Sequence, residues 1–206
     1  MMSLRSLFAA VAAVLLAPVA LAEEASSPLP LSTLSAYLND MRLAQGEFTQ
    51  ISDDGSITTG TLYINRPGRM RFAYDEPEDS VVIAGGNAVA IFDPKSNQGP
   101  QTYPLERTPL SLILSENVDL GRADMVVAHD RRGPATVVTA QDPAHPEYGT
   151  IELVFTGDPV ELRQWVINDD SGSSTTVVLG QLSEPDALPA SLFSIQLEQG
   201  RREPTR

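Results

Sequence analysis

Between Gly46 and Leu179 the chain repeats one texture: short alternating segments, each closed by a turn signal. That rhythm limits the folds open to it. Residues 47–51 precede Asp53-Asp54-Gly55, a strong hairpin turn, and 57–65 alternates with Gly60 inside it. Pro67-Gly68 turns into 70–74, and Gly85-Gly86-Asn87 joins 80–84 to 88–92. Segments 124–128 and 136–140 flank an expected turn at 130–133. Segments 150–155 and 160–167 flank Gly157-Asp158-Pro159, 169–172 turns into 174–179, and 192–197 reads as a closing strand. Roughly ten strands at hairpin spacing predict a mainly β protein, an antiparallel meander curled into a barrel or half-barrel. Strands do not alternate with long helices, which argues against a doubly wound α/β fold.

Two segments depart from this texture. Leu31, Leu34, Leu38 and Met41 recur at helical spacing and predict an amphipathic helix ended by Gly46. Residues 108–115, "TPLSLILS", predict a short helix with a capping Thr108 and Pro109 at its first position. Leu110, Ile113 and Leu114 share one face and Leu112 lies off it. A helix this apolar either fills a core or covers a hydrophobic opening. The long polar approach from 94 to 107, with its Pro and Gly, favours a movable cover.

Composition excludes some functions. The chain carries 14 Lys and Arg against 27 Asp and Glu, a net charge of −13. Nucleic-acid binding needs a basic footprint to displace counterions, so no nucleic-acid partner is expected. Residues 1–22 read as a secretory signal peptide: Arg5, an apolar run, then Ala20-Leu21-Ala22. Residues 23–30 read as a flexible lead, 31–200 as one domain and 201–206 as a flexible tail. The chain has no Cys, so no disulfide and no lipid-bearing N-terminal Cys is expected, although an exported protein could form disulfides.

The residues offer little chemistry. There is no thiol nucleophile, no glycine-rich phosphate loop and no serine elbow. Two histidines, His129 at a strand end and His145 in a loop, do not make a metal-ligand spacing. Neither cofactor nor metal nor catalysis is expected. The bottom-up reading is a β fold curled around an interior that could hold an apolar ligand under its helices.

The order of motifs sharpens this. Gly46-Glu47-Phe48-Thr49-Gln50, Gly60-Thr61-Leu62-Tyr63-Ile64 and Arg66-Pro67-Gly68-Arg69-Met70-Arg71-Phe72 resemble the LolA family. So do Pro77, residues 80–86, Ile91-Phe92-Asp93-Pro94, residues 108–113, the strand–turn–strand of 165–176, and Phe193-Ser194-Ile195 before Gly200. The resemblance implies an unclosed antiparallel half-barrel with a helical lid over a hydrophobic cavity. It implies a monomeric periplasmic carrier. Its cargo would be acylated lipoproteins, released by an inner-membrane ATP-binding-cassette complex and handed to an outer-membrane receptor. The other function it leaves open is a lipid or lipoprotein sensor acting with a membrane partner.

Residue by residue, the resemblance implies that Arg66 latches the lid. Phe48, Met70, Phe72, Tyr74 and Val82 would line the cavity, and Leu110, Ile113 and Leu114 would form the lid's apolar face. The plainer reading makes Arg66 a solvated turn residue and Met70, Phe72 and Tyr74 filled core. Arg69 and Arg71 alternate with that set and are expected to face outward. Tyr63 and Phe72 stand where the family often has Trp, and residues 141–149 do not match its usual connection.

Overall fold

A computed structural model describes residues 27–203 except 97, 123 and 170; the expected signal peptide lies outside them. The described residues form one antiparallel sheet of eleven strands. These are β1 (Leu43–Ile51), β2 (Ile57–Asn65), β3 (Arg69–Tyr74), β4 (Val81–Gly85), β5 (Ala88–Phe92) and β6 (Gln101–Pro104). Then come β7 (Val126–Arg132), β8 (Ala135–Gln141), β9 (Thr150–Thr156), β10 (Glu161–Asn168) and β11 (Ser174–Leu179). Three helices complete the set: α1 (Leu31–Asp40), α2 (Leu110–Leu114) and α3 (Ile195–Arg202). None is long and apolar enough to cross a membrane.

The strand order is β6-β5-β4-β3-β2-β1-β11-β10-β9-β8-β7. The chain meanders from β1 out to one edge at β6. It then crosses to the opposite edge at β7 and meanders back until β11 pairs with β1. The two edges do not pair, so the barrel stays open, as the unclosed half-barrel reading expects. The crossover carries α2, which topology therefore places across the open side.

Alternation decides which residues face that side. Phe48 pairs with Gly60 and Leu179, Phe72 with Leu62 and Val82, and Trp165 with Val177 and Leu153. All these side chains point to the concave face. Phe48, Leu62, Ile64, Met70, Phe72, Leu153, Phe155 and Trp165 form its core with Leu34 and Leu38 of α1 and all four apolar residues of α2. Gly60 makes room: a Cβ there would stand 2.2 Å from the Ala73 carbonyl and 2.8 Å from the Phe48 ring.

The convex face of β3–β5 has a second, smaller core. Val81, Ile83, Ala90 and Phe92 pack there against Ile195 of α3. Gly85 permits the approach, since a Cβ would lie 2.3 Å from the Phe193 carbonyl. This is where the expectations for the C-terminal region fail. Residues 192–197 are not a strand: a short 3-10 turn leads into α3, and the Ser194 hydroxyl accepts from the Leu197 N–H as a helix cap. The helix runs on through Arg201 and Arg202, the first residues of the expected tail. Nor is Arg71 exposed. It faces outward, but α3 covers it, and it pairs with buried Glu198 at 3.1 Å.

Other corrections are local. Gly46 does not end α1, which stops at Asp40; Gly46 lies inside β1, paired with Leu62, because the ladder already claims residues from Leu43 on. The polar approach to α2 contains a strand, β6, paired with β5. The turn after β7 is at Gly133, with its positive φ, and Pro134, since β7 extends to Arg132; His129 is therefore inside the strand. Thr108 does not cap α2 through its side chain; its hydroxyl donates to the Leu105 carbonyl instead. Leu112 is not on a spare face but is as buried as its neighbours.

Candidate functional site

The concave interior and its cover form the candidate site. Each predicted lining residue lies there. Phe48, Met70 and Phe72 are buried, and Tyr74 and Val82 are half-buried against the same core. The Phe48 ring meets both Phe72 and Tyr74 edge-on at 5.1 Å, and Phe72 meets Trp165 edge-on at 6.0 Å. Leu110, Ile113 and Leu114 close over this set from α2. The Tyr74 hydroxyl donates to Gln50 Oε1 at 2.6 Å, and burial, with help from the Glu78 charge, pushes its pKa up to about 12.

Among the described residues the interior is occupied by its own side chains. A small void beside α2, about 30 Å³ and partly open to solvent, lies among Leu112, Met125, Ala140, Tyr148 and Ile151 with Glu106, Ser111 and Gln141 at its rim. It holds one or two waters at most. Residues 141–149, which the sequence left unassigned, include the short 3-10 turn Pro146–Tyr148 that flanks this void, with Tyr148 stacked on His145 at 4.6 Å. Trp165 is completely buried, and its indole N–H meets no acceptor among the described residues. Buried donors are nearly always paired, so this one is noteworthy.

The cover is held by polar bonds rather than by apolar packing alone. Arg66, at the end of β2, is only 4% exposed. Its Nη2 donates to the Ser115 carbonyl at the exit of α2 and, at 3.4 Å, to Asn39 Oδ1 in α1. Its backbone N–H donates to the Arg42 carbonyl, and the Gly68 N–H to the Leu114 carbonyl. So Arg66 does reach both covering helices. Its partners are a carbonyl and an amide, not a carboxylate, and among the described residues Nε and Nη1 have no partner. Burial, helped by the nearby Arg42 charge, lowers its pKa from the usual arginine value.

Sequence reasoning missed the bonds within the cover. Asn39 donates from Nδ2 to the Val118 carbonyl and accepts at Oδ1 from the Val118 N–H, at 2.8 and 2.9 Å. One turn earlier, Ser35 accepts from the Leu120 N–H at 3.0 Å. Segment 115–120 has no regular partner strand, so these side chains satisfy its backbone. The signal was present: Ser35 and Asn39 stand four apart beside the Leu34–Leu38 stripe, where a solvated face needs no such pair.

Comparison with known proteins gives the chain its relatives. The family model described as "Outer membrane lipoprotein carrier protein LolA" matches residues 39–196. An outer-membrane lipoprotein carrier protein of Pseudomonas entomophila is 26% identical over 183 residues, covering 82% of this chain and 85% of that one. One from Dechloromonas aromatica is 28% identical over 169 residues, covering 78% and 80%. A LolA superfamily protein of known structure from Nitrosomonas europaea is 8% identical, covers 81% of this chain and 98% of its own, and superposes with a TM-score of 0.42. With its match spanning well over half of the sequence, the chain belongs to the LolA family of outer-membrane lipoprotein carriers.

Proposed function

We propose that this protein is a periplasmic carrier that shields the acyl chains of lipoproteins taken from the inner membrane and surrenders them at the outer membrane. Family membership supports the cargo, and the predicted signal peptide supports the compartment. The observation that carries the mechanism is the buried Arg66, held by acceptors on both covering helices with two of its nitrogens unpaired.

Each acyl CH₂ withdrawn from water is worth about 0.8 kcal/mol, so a free acylated protein would stay in its membrane or aggregate. A carrier must cover that surface and still let go. Here the empty interior collapses onto its own side chains, and cargo can enter only if α1 and α2 lift. Closing then competes directly with holding cargo. Arg66 contributes a small closing bias: its bonds to the Ser115 carbonyl and Asn39 hold the cover down, and the water that its two unpaired nitrogens regain on opening keeps that bias easy to reverse. In the open state the Trp165 N–H offers the ester or amide carbonyl of a lipid an unpaired donor.

The test is release of radiolabelled lipoprotein from spheroplasts by the purified protein, together with the releasing complex of its own organism. A soluble cargo complex is expected, and none forming would sink the proposal. In the same assay Arg66→Leu should take up cargo normally and pass it on to an outer-membrane acceptor at least several-fold more slowly. Unchanged transfer would remove Arg66 from the mechanism.

A further inference from the structure

The lead into α1 carries a motif that the Arg66 latch leaves unexplained: Pro28-Leu29-Pro30. Proline has no N–H and a fixed φ, and it holds the residue before it extended. Leu29 is therefore the only backbone donor of the three, in a shape set before docking. Both of its backbone groups are used. Its N–H donates to Thr136 Oγ1 at 2.8 Å, and its carbonyl lies 2.9 Å from His129 Nε2. A carbonyl only accepts, so His129 carries its hydrogen on Nε2. Thr136 is 1% exposed. His129 sits opposite Val138 in the ladder, and Thr136 is two residues before Val138, so both side chains share the concave face with that core residue. The Leu29 side chain packs against the same core.

The next residue, Pro30, starts the helix: its carbonyl accepts from the N–H groups of Thr33 and Leu34. Wherever Leu29 docks, α1 begins. The far end of α1 is held through Asn39 and Arg66, on the β2–β3 half. Strands β7 and β8 lie at the other end of the sheet order. A ten-residue helix of about 15 Å therefore spans the concave side as a bar tied at both ends to opposite halves of the sheet.

We infer that His129 and Thr136 are positioning residues for the cover, a second latch that captures the backbone of Leu29 and holds the N-terminal end of α1. Opening frees one end of the bar while it pivots on the other, and the two latches divide the closing bias between them. The consequence for cargo rests on the carrier reading; the latch itself does not.

Hydrogen exchange on the purified protein tests the latch without cargo. His129→Ala and the near-isosteric Thr136→Val should each speed exchange of the 29–40 amides by roughly three- to tenfold, the worth of one net hydrogen bond. Amides of β1–β5 should not change. His129→Gln, whose amide donates as the imidazole does, should restore slow exchange. In the lipoprotein assay the two loosened variants should take up cargo and slow its transfer several-fold, and His129→Gln should transfer normally. Unaltered exchange at 29–40 in both loosened variants overturns the latch, whatever the cargo does. Faster exchange with normal transfer overturns its part in gating. Failure of the unmutated protein to form any cargo complex overturns the carrier reading and the gating with it, while the exchange data still decide the latch.

Discussion

Two buried arginines five residues apart show how differently the two faces of the sheet are closed. Arg71, on the convex side, is 8% exposed and pairs with Glu198, which also receives Arg201 and Arg202. Burial alone would raise the Glu198 pKa, but the Arg202 hydrogen bond and the Arg71 charge overcome it and hold the carboxyl below its usual range. Arg66, on the concave side, is as deeply buried and has no carboxylate. The difference is one of reversibility. Lifting α3 would part Arg71 from a carboxylate and uncover the Ile195 contact with the convex core, so that closure is the harder of the two to undo. Lifting the cover from Arg66 returns a poorly satisfied guanidinium to water, so that closure costs little to undo.

The largest effect that would sharpen this contrast is on α3. Glu198→Gln leaves Arg71 buried without a counter-charge and should cost about 3–5 kcal/mol in urea unfolding. Asn39→Ala removes three hydrogen bonds, orphaning the Val118 backbone groups and taking one acceptor from Arg66, for an expected loss of about 1–3 kcal/mol and a looser cover. Arg66→Leu removes two unpaired buried nitrogens along with its bonds, so its stability should stay within about 1 kcal/mol of the parent while transfer suffers. If Arg66→Leu proved as destabilising as Glu198→Gln, the two closures would be alike and the contrast would fail.

The smallest effect is in pH. A carboxyl whose folded pKa is depressed stabilises fully above its unfolded value, 4.5, and loses that stabilisation as pH falls through the lower folded value. The gap between the parent and Glu198→Gln should therefore narrow as pH falls below 4.5. A gap independent of pH would mean that Glu198 acts through packing rather than charge.

Much of this was legible beforehand, for local reasons. The bounds of β2 and β11 followed from alternation and flanking turns, because period two and a hairpin signal are properties of neighbouring residues. The same parity put Met70, Phe72 and Tyr74 on one face of their strand, while Phe48 and Val82 joined the lining set only through the family resemblance. Segment 192–197 misled because its apolar residues fit either period, and the Ser194 cap that decides for a helix shows only when the chain docks on β4. β6 was missed because its edge position leaves all four of its residues exposed and its sequence polar.

Spacing along the chain was enough for most of the meander, for the parity of Met70, Phe72 and Tyr74, and for the two apolar helices that need a place to bury themselves. Long-range folding settled which arginine is paired with a carboxylate and which is not, that Asn39 and Ser35 stitch the cover together, and that Leu29 is caught by side chains about a hundred residues away. Those bonds join segments distant in sequence. Their partners are largely backbone carbonyls and N–H groups, which every residue carries and no pattern of side chains reveals.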